Sequence, residues 1–214
     1  MSKINHEYIE TYIRGLLNNE DKLLLELEGY AEKNNVPIIH PEVRQLIGIL
    51  LQTGGYEKIL EIGTAIGYSA LSFVKKNENI TVDTIELNED MVKLAGENIE
   101  KAGYDDRIKI IYGDASKVVP ELEKKYDVIF LDGAKGHYIH MLEDCLRLLN
   151  PGGMIISDNV LFRGMVASDE LVKRRKITIV KRMRKYLEAL SDHPRLDTSI
   201  IPIGDGLAIS RLVR

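Results

Sequence analysis

Two apolar runs in this chain of 214 residues end in side chains that can act together: YDVIFLDGAK carries Asp132 and Lys135, and MIISDN carries Asp158 and Asn159. If both runs are neighbouring parallel strands, their ends emerge at one sheet edge, where α/β proteins gather ligands. Asp132, Asp158 and Asn159 would then converge as three oxygen donors. Hard oxygen donors suit Mg²⁺, which takes a few ligands from protein and keeps positions for water and substrate. The bland alternatives are a simple turn at Asp158 and Asn159 and an ordinary surface lysine at Lys135. His137 and His140 have a spacing that would allow zinc with Asp132, but an exposed helical histidine pair is the preferred interpretation.

A second group of strand ends precedes these. EIGTAIGYSAL places Gly63 and Gly67 around a turn before a helix that starts near Ser69, so backbone can approach a ligand there. The spacing is not the GxGxxG that cradles a pyrophosphate, which disfavours a dinucleotide. Glu86 follows Gly63 by about the 20 residues expected of an acidic ribose ligand. The third run ends in Gly113, Asp114 and Ala115. A purely structural turn at the glycines and a helix N-cap at Asp114 are the alternatives.

The elements that would position these residues follow from periodicity. Residues 5–53 show helical spacing in three pieces, broken near Asn18 and Asn19 and again at Asn34 to Pro41. From Lys58 the runs KILEIG, TVDTIEL, IKIIYGD, YDVIFLDG and MIISDN alternate with helix-like segments of crossover length. Near-continuous apolar strands imply burial on both faces and a mostly parallel sheet. LDTSIIPIG and GLAISRLV, joined at Gly204, Asp205 and Gly206, predict an antiparallel closing pair. The expected class is α/β: a doubly wound, Rossmann-like, mostly parallel sheet with an antiparallel C-terminal edge and a helical preface. It forms one domain over 1–214, with the preface at 1–53 and the core at 58–214.

A net charge of -4 gives no global basic field to announce a nucleic-acid partner. The lone cysteine, Cys145 in MLEDCLRLL, reads as a helix-core position without chemistry. The N-terminus lacks a signal-like apolar stretch and no run is long enough for a bilayer, so a cytoplasmic protein without membrane contact is expected. No repeat or linker points to a second module.

Taken together, EIGTAIG, Glu86 and GDA resemble the motifs of class I S-adenosylmethionine-dependent methyltransferases. LDGAK paired with SDN resembles the metal motifs of the catechol and caffeoyl-CoA type O-methyltransferases, and the likeness covers most of the chain. It implies that Ile39, Glu61, Gly63, Gly67, Ser69, Glu86, Asp114, Ala115 and Asp132 contact S-adenosylmethionine. It implies a divalent cation, Mg²⁺ or another, on Asp132, Asp158 and Asn159, and a general base at Lys135. Tyr138 falls where plant relatives also carry a tyrosine. The implied reaction is an in-line displacement in which an acidified acceptor oxygen takes the sulfonium methyl, and two adjacent acceptor oxygens chelate the cation.

KRRKITIVKRMRKY carries Lys173, Arg174, Arg175, Lys176, Lys181, Arg182, Arg184 and Lys185 and no acid, so one basic helix able to hold phosphates is expected, a solvated face being the alternative. This segment, the short chain and SDNVLFRGMVA resemble bacterial enzymes that methylate 5-hydroxyuridine at the tRNA wobble position. The preferred expectation is therefore an unpaired anticodon-loop base as acceptor, with Arg163 at its rim. The alternative is a small catechol or caffeoyl-type phenol. A nicotinamide-dependent dehydrogenase and a catalytically silent nucleotide-binding module are disfavoured. By resemblance a homodimer is expected, with the preface over the cofactor mouth.

Overall fold

The computed structural model describes residues 4–17, 21–133 and 135–213. Three helices lead: α1 (Glu7–Gly15), α2 (Lys22–Asn34) and α3 (Pro41–Gly54). The break expected at Asn18 and Asn19 lies outside the described residues. α2 starts because the Asp21 side chain accepts the Leu24 N–H, at 3.1 Å, and α3 starts on a proline at its first position. Asn35 and Gly55 end α2 and α3 in the left-handed conformation that closes helix C-termini.

β1 (Lys58–Ile62), α4 (Tyr68–Val74), β2 (Thr81–Glu86), α5 (Glu89–Ala102), β3 (Ile108–Tyr112), α6 (Ala115–Glu121), β4 (Tyr126–Leu131), α7 (Tyr138–Leu148) and β5 (Leu149–Ser157) follow in alternation. α8 (Ile177–Ser191), β6 (Leu196–Ile201) and β7 (Leu207–Leu212) complete the chain. The sheet has the order β3-β2-β1-β4-β5-β7-β6. All neighbours pair in parallel except β5 with β7 and β6 with β7. The antiparallel edge falls where the sequence predicts it.

Successive strand residues point to opposite faces, and both faces are covered. Ile59, Val82, Val128, Phe130 and Ile156 pack into a core with α2, α3, α4 and α5. Leu60, Ile62, Ile129, Leu131 and Ile155 pack against α6, α7 and α8 on the other side. This double burial explains the near-continuous apolar strands. Cys145 is buried in the second core, and burial pushes its thiol up to about 12, consistent with a packing role. No helix among the described residues is long and apolar enough to cross a membrane.

One expectation is corrected here. The basic segment is not one helix: Arg174–Lys176 forms a separate 3-10 turn and α8 begins at Ile177. Nor is its charge all turned to solvent. Arg182 donates to the Gly136 carbonyl at 3.1 Å, and Arg184 donates to the carbonyls of Val166 and Met165 and pairs with Asp169 at 2.7 Å. The sequence shows no acid beside these arginines because their partners are carbonyls and an aspartate in an earlier loop.

Candidate functional site

Parallel pairing brings the first group of residues to one edge. Gly63 follows β1 with φ of 106°, and a Cβ there would lie 3.0 Å from the carbonyl carbon and oxygen of Asp132. Glycine is thus required where the β1 and β4 ends cross. Gly67, at φ of 82°, caps α4. Glu86, at the end of β2, receives three backbone N–H groups: Ala65 to Oε2, and Leu87 and Asn88 to Oε1, each at 2.9 Å. The carboxylate therefore fixes both the glycine turn and the chain leaving β2.

Beneath that turn Glu61 is completely buried. Ser69 Oγ donates to its Oε1, and Thr84 Oγ1 donates to Oε2 at 2.6 Å. Burial pushes the carboxyl up to about 7, opposed by those two hydroxyls and reinforced by the charge of Glu86. Glu61 faces the interior, and Ser69, almost fully buried above it, ties that carboxyl to the first turn of α4. Asp114 caps α6 through Ser116, accepting its N–H at 2.9 Å and its Oγ–H at 2.7 Å, which is the N-cap alternative for that residue. Ala115 is largely buried behind it, and Ile39 packs in the same apolar cluster as Ile66 and Tyr68.

The second group sits at the ends of β4 and β5. Leu131 and Ser157 are register partners, so Asp132 and Asp158, one residue beyond each, leave adjacent strands side by side. The Asp132 N–H donates to Ile62 O and the Asp158 N–H to Leu131 O, both at 2.9 Å, which fixes their backbones. Asp158 is 1% exposed. Burial, then the neighbouring Asp158 charge, holds Asp132 well above the usual carboxylate range. Asp158 is raised as well, chiefly by burial, while the Asn159 N–H at 2.6 Å and the Lys135 charge oppose the rise. Lys135, in the 3-10 turn Lys135–His137, therefore lies within electrostatic reach of both carboxyls. Tyr138 is fully buried below them and donates its hydroxyl to Leu131 O at 2.9 Å.

Like charges out of water repel; Lys135 opposes that repulsion, and a bound cation would oppose it further. This donor set suits a hard divalent ion: two carboxylates plus the Asn159 amide. Among the described residues no group of three or more His, Cys, Asp or Glu side chains is placed to hold a metal, so a cation at this edge would be held by the two carboxylates with the Asn159 amide and with water or substrate oxygens. His137 and His140 are exposed, their rings 6.2 Å apart.

The chain after Asn159 is held by features the sequence did not disclose. Asn159, Phe162 and Arg163 have positive φ of 58°, 45° and 57°, a concentration of left-handed backbone in one loop. Val160 and Leu161 donate N–H to Gly206 O and Asp205 O, each at 3.0 Å, and the Arg163 N–H donates to the Asp205 carboxylate at 2.6 Å. Asp205 reads as a turn residue in the sequence, yet it is 9% exposed and secures the loop that carries Arg163. The only sequence signal is an acidic residue between two glycines.

A family model described as O-methyltransferase matches residues 17–213. The catechol O-methyltransferase of Niastella koreensis is 28% identical over 216 residues, 95% of this chain and 96% of that protein. A solved Staphylococcus aureus structure, provisionally assigned as a caffeoyl-CoA O-methyltransferase, is 35% identical with a TM-score of 0.90, covering 96% of this chain and 100% of that one. A Bacillus cereus O-methyltransferase solved in complex with SAH is 27% identical, TM-score 0.84, covering 96% and 97%.

Proposed function

The chain belongs to the O-methyltransferase family, and from that premise we propose that it transfers the methyl group of S-adenosylmethionine to one of two adjacent oxygens of a catechol-like acceptor. The observation that carries this proposal is the pair of mutually repelling carboxyls, half-buried Asp132 and buried Asp158, that leave adjacent strands at one sheet edge beside Lys135. The SAH-bound Bacillus relative and the catechol-type relative support it.

In this proposal Glu86 accepts a ribose hydroxyl, the Gly63–Gly67 turn and Ser69 receive the methionine end, and Asp114 with Ala115 flank the adenine. Ile39 forms an apolar wall, and Glu61, being fully internal, acts through Ser69. Asp132, Asp158 and Asn159 would hold the divalent cation. When bound, such an ion acidifies the acceptor hydroxyl and supplies open positions for two vicinal oxygens. Lys135 Nζ, once it has released its own proton to solvent, takes the proton from that hydroxyl, and Asp132 joins the two ends of the site because Gly63 crosses directly behind it.

A second acceptor is favoured by one specific observation. Lys173, Arg174, Arg175 and Lys176 are exposed just before α8, and Arg182 of α8 is tied to Gly136, next to Lys135. These cations could hold the backbone around 5-hydroxyuridine in a tRNA anticodon loop, whose 5-hydroxyl and 4-carbonyl are also adjacent oxygens. The outward apolar residues of α1, Tyr8, Ile9, Tyr12 and Ile13, with Leu16 just past its end, support a homodimer.

Labelled S-adenosylmethionine with Mg²⁺ and either a catechol or tRNA bearing 5-hydroxyuridine tests the proposal. Methylated catechol, abolished by chelator, is expected. Labelling of the tRNA alone would replace the acceptor and retain the mechanism, and labelling of neither would remove the proposal.

A further inference from the structure

α1 is joined to the core in an unusual way. The residue it buries is Glu10, while its apolar side chains face outward. Arg14 makes the connection: its Nε donates to Glu42 Oε2 and its Nη2 to Glu42 Oε1, each at 2.8 Å, and Nη2 also lies 2.8 Å from Nδ1 of His40. A guanidinium has donors and no lone pair to offer. Nδ1 of His40 must therefore be the acceptor in this contact, which puts the ring hydrogen on Nε2.

The structure thus sets a tautomer. Placing a proton on Nδ1 would aim it at a permanent cation, and burial further depresses the proton affinity of the ring. Arg14 and Glu10 face the ring from α1, Glu42 from α3 and Asp205 from the β6–β7 turn. The two acids of the helices would favour protonation, but the bidentate Arg14–Glu42 pair neutralises the nearer one.

The turn that His40 packs against is joined to the loop leaving Asp158 and Asn159, because Val160 N–H donates to Gly206 O and Leu161 N–H to Asp205 O, each at 3.0 Å. A Cβ on Gly204 would lie 3.2 Å from Cδ2 and 3.8 Å from Cβ of His40, so the Cβ–Cδ2 side of the residue packs against the β6–β7 turn. The next residue in that turn, Asp205, holds the Arg163 backbone and lies within electrostatic reach of Asp158 and Lys135. Asp205 thus stands between His40 and Asp158, within electrostatic reach of both.

We propose that His40 is an acceptor-recognition residue: a neutral, Nε2-protonated imidazole, fixed by Arg14, that donates a hydrogen bond to an oxygen of the bound acceptor. It rests on the premise that the Asp132–Asp158 edge is the acceptor end. A donor that does not ionise near neutral pH suits a carbonyl or ether oxygen beside the vicinal pair, whereas an imidazolium would compete with the cation for the acceptor. The class selected is a dioxygen acceptor carrying a further hydrogen-bond-accepting oxygen.

The test uses full-length protein and ¹⁵N-histidine NMR together with steady-state kinetics on a catechol bearing a ring carbonyl and on plain catechol. The His40 signal is expected to report an Nε2–H tautomer that does not titrate between pH 6 and 8, and to titrate in Arg14→Met. His40→Ala should raise KM for the carbonyl-bearing acceptor about fivefold, with kcat and SAH affinity nearly unchanged, and leave plain catechol unaffected. His40→Gln, which keeps a donor near the Nε2 position, should recover most of the loss. An Nδ1–H tautomer in the wild type, or equal effects of His40→Ala on both acceptors, would overturn the proposal. Absence of Mg²⁺-dependent turnover on either acceptor by the wild type would instead overturn the methyl-transfer premise, which the tautomer measurement does not need.

Discussion

The backbone N–H of Ala65 donates to Oε2 of Glu86 at 2.9 Å, tying the turn after β1 to the end of β2. One carboxylate therefore sets the spacing between the two strand ends proposed to hold the methionine and ribose parts of the cofactor. Its Oε2 keeps one acceptor position for a hydroxyl group, since Oε1 already takes two N–H groups.

Glu86→Ala removes both functions and is expected to weaken SAH binding at least about tenfold, since hydrogen bonds to an ionised group are the strong ones. Glu86→Gln should fall between the variant and the wild type. Calorimetry with SAH checks this, and an unchanged affinity in Glu86→Ala would place the ribose elsewhere.

Gly63→Ala is expected to damage both ends of the site at once. Its φ of 106° is strained for an L side chain, and the added Cβ meets the Asp132 backbone at 3.0 Å. A loss of stability on the order of 2 kcal/mol, from thermal or denaturant unfolding, should accompany loss of turnover. Full stability with wild-type kinetics would mean that the crossing of β1 and β4 is looser than described.

Glu61 makes a prediction about pH. Burial raises its carboxyl to about 7 from an ordinary 4.5. Between those values the unfolded chain loses a proton that the folded chain keeps, so stability falls as pH rises through this window and levels off above it. The contribution is on the order of 3 kcal/mol. Glu61→Gln should flatten the decline in Tm between pH 5 and 8 measured by calorimetry. Part of the slope should survive, because Asp132, Asp158 and Asp205 are raised in the same sense. Parallel curves for the two proteins would show that burial of Glu61 carries no such cost.

Arg184→Ala removes the contacts to Met165, Val166 and Asp169 that brace the loop after Phe162. Hydrogen exchange across residues 162–172 should accelerate by about fivefold or more while SAH affinity holds. Unchanged exchange would mean that the Asp205 and Gly206 contacts alone fix the loop.

The sheet was legible because each strand is buried on both faces and each crossover is long enough for a helix. Asp132 and Asp158 could be paired from sequence because both follow an apolar run, and parallel register then sets them side by side. Other features could not be read. Apolar spacing identifies α1 as a helix but not which face turns inward, and here Glu10 is buried while Tyr8 and Tyr12 are exposed. Arg182 and Arg184 look like surface charge because backbone carbonyls, their chief partners, leave no mark in a sequence. Asp205 and His40 gain their positions only when the β6–β7 turn closes onto α3 and the loop after Asn159.

The central claim is that Asp132, Asp158 and Asn159 hold a divalent cation at the acceptor end. Titration of Mn²⁺ into SAH-saturated protein, followed by electron paramagnetic resonance of the free ion, tests it most directly. One site per chain is predicted in the wild type, lost in Asp158→Ala, with SAH affinity in that variant within about twofold of wild type. Equal Mn²⁺ binding by the variant, or loss of SAH and Mn²⁺ binding together, would contradict it.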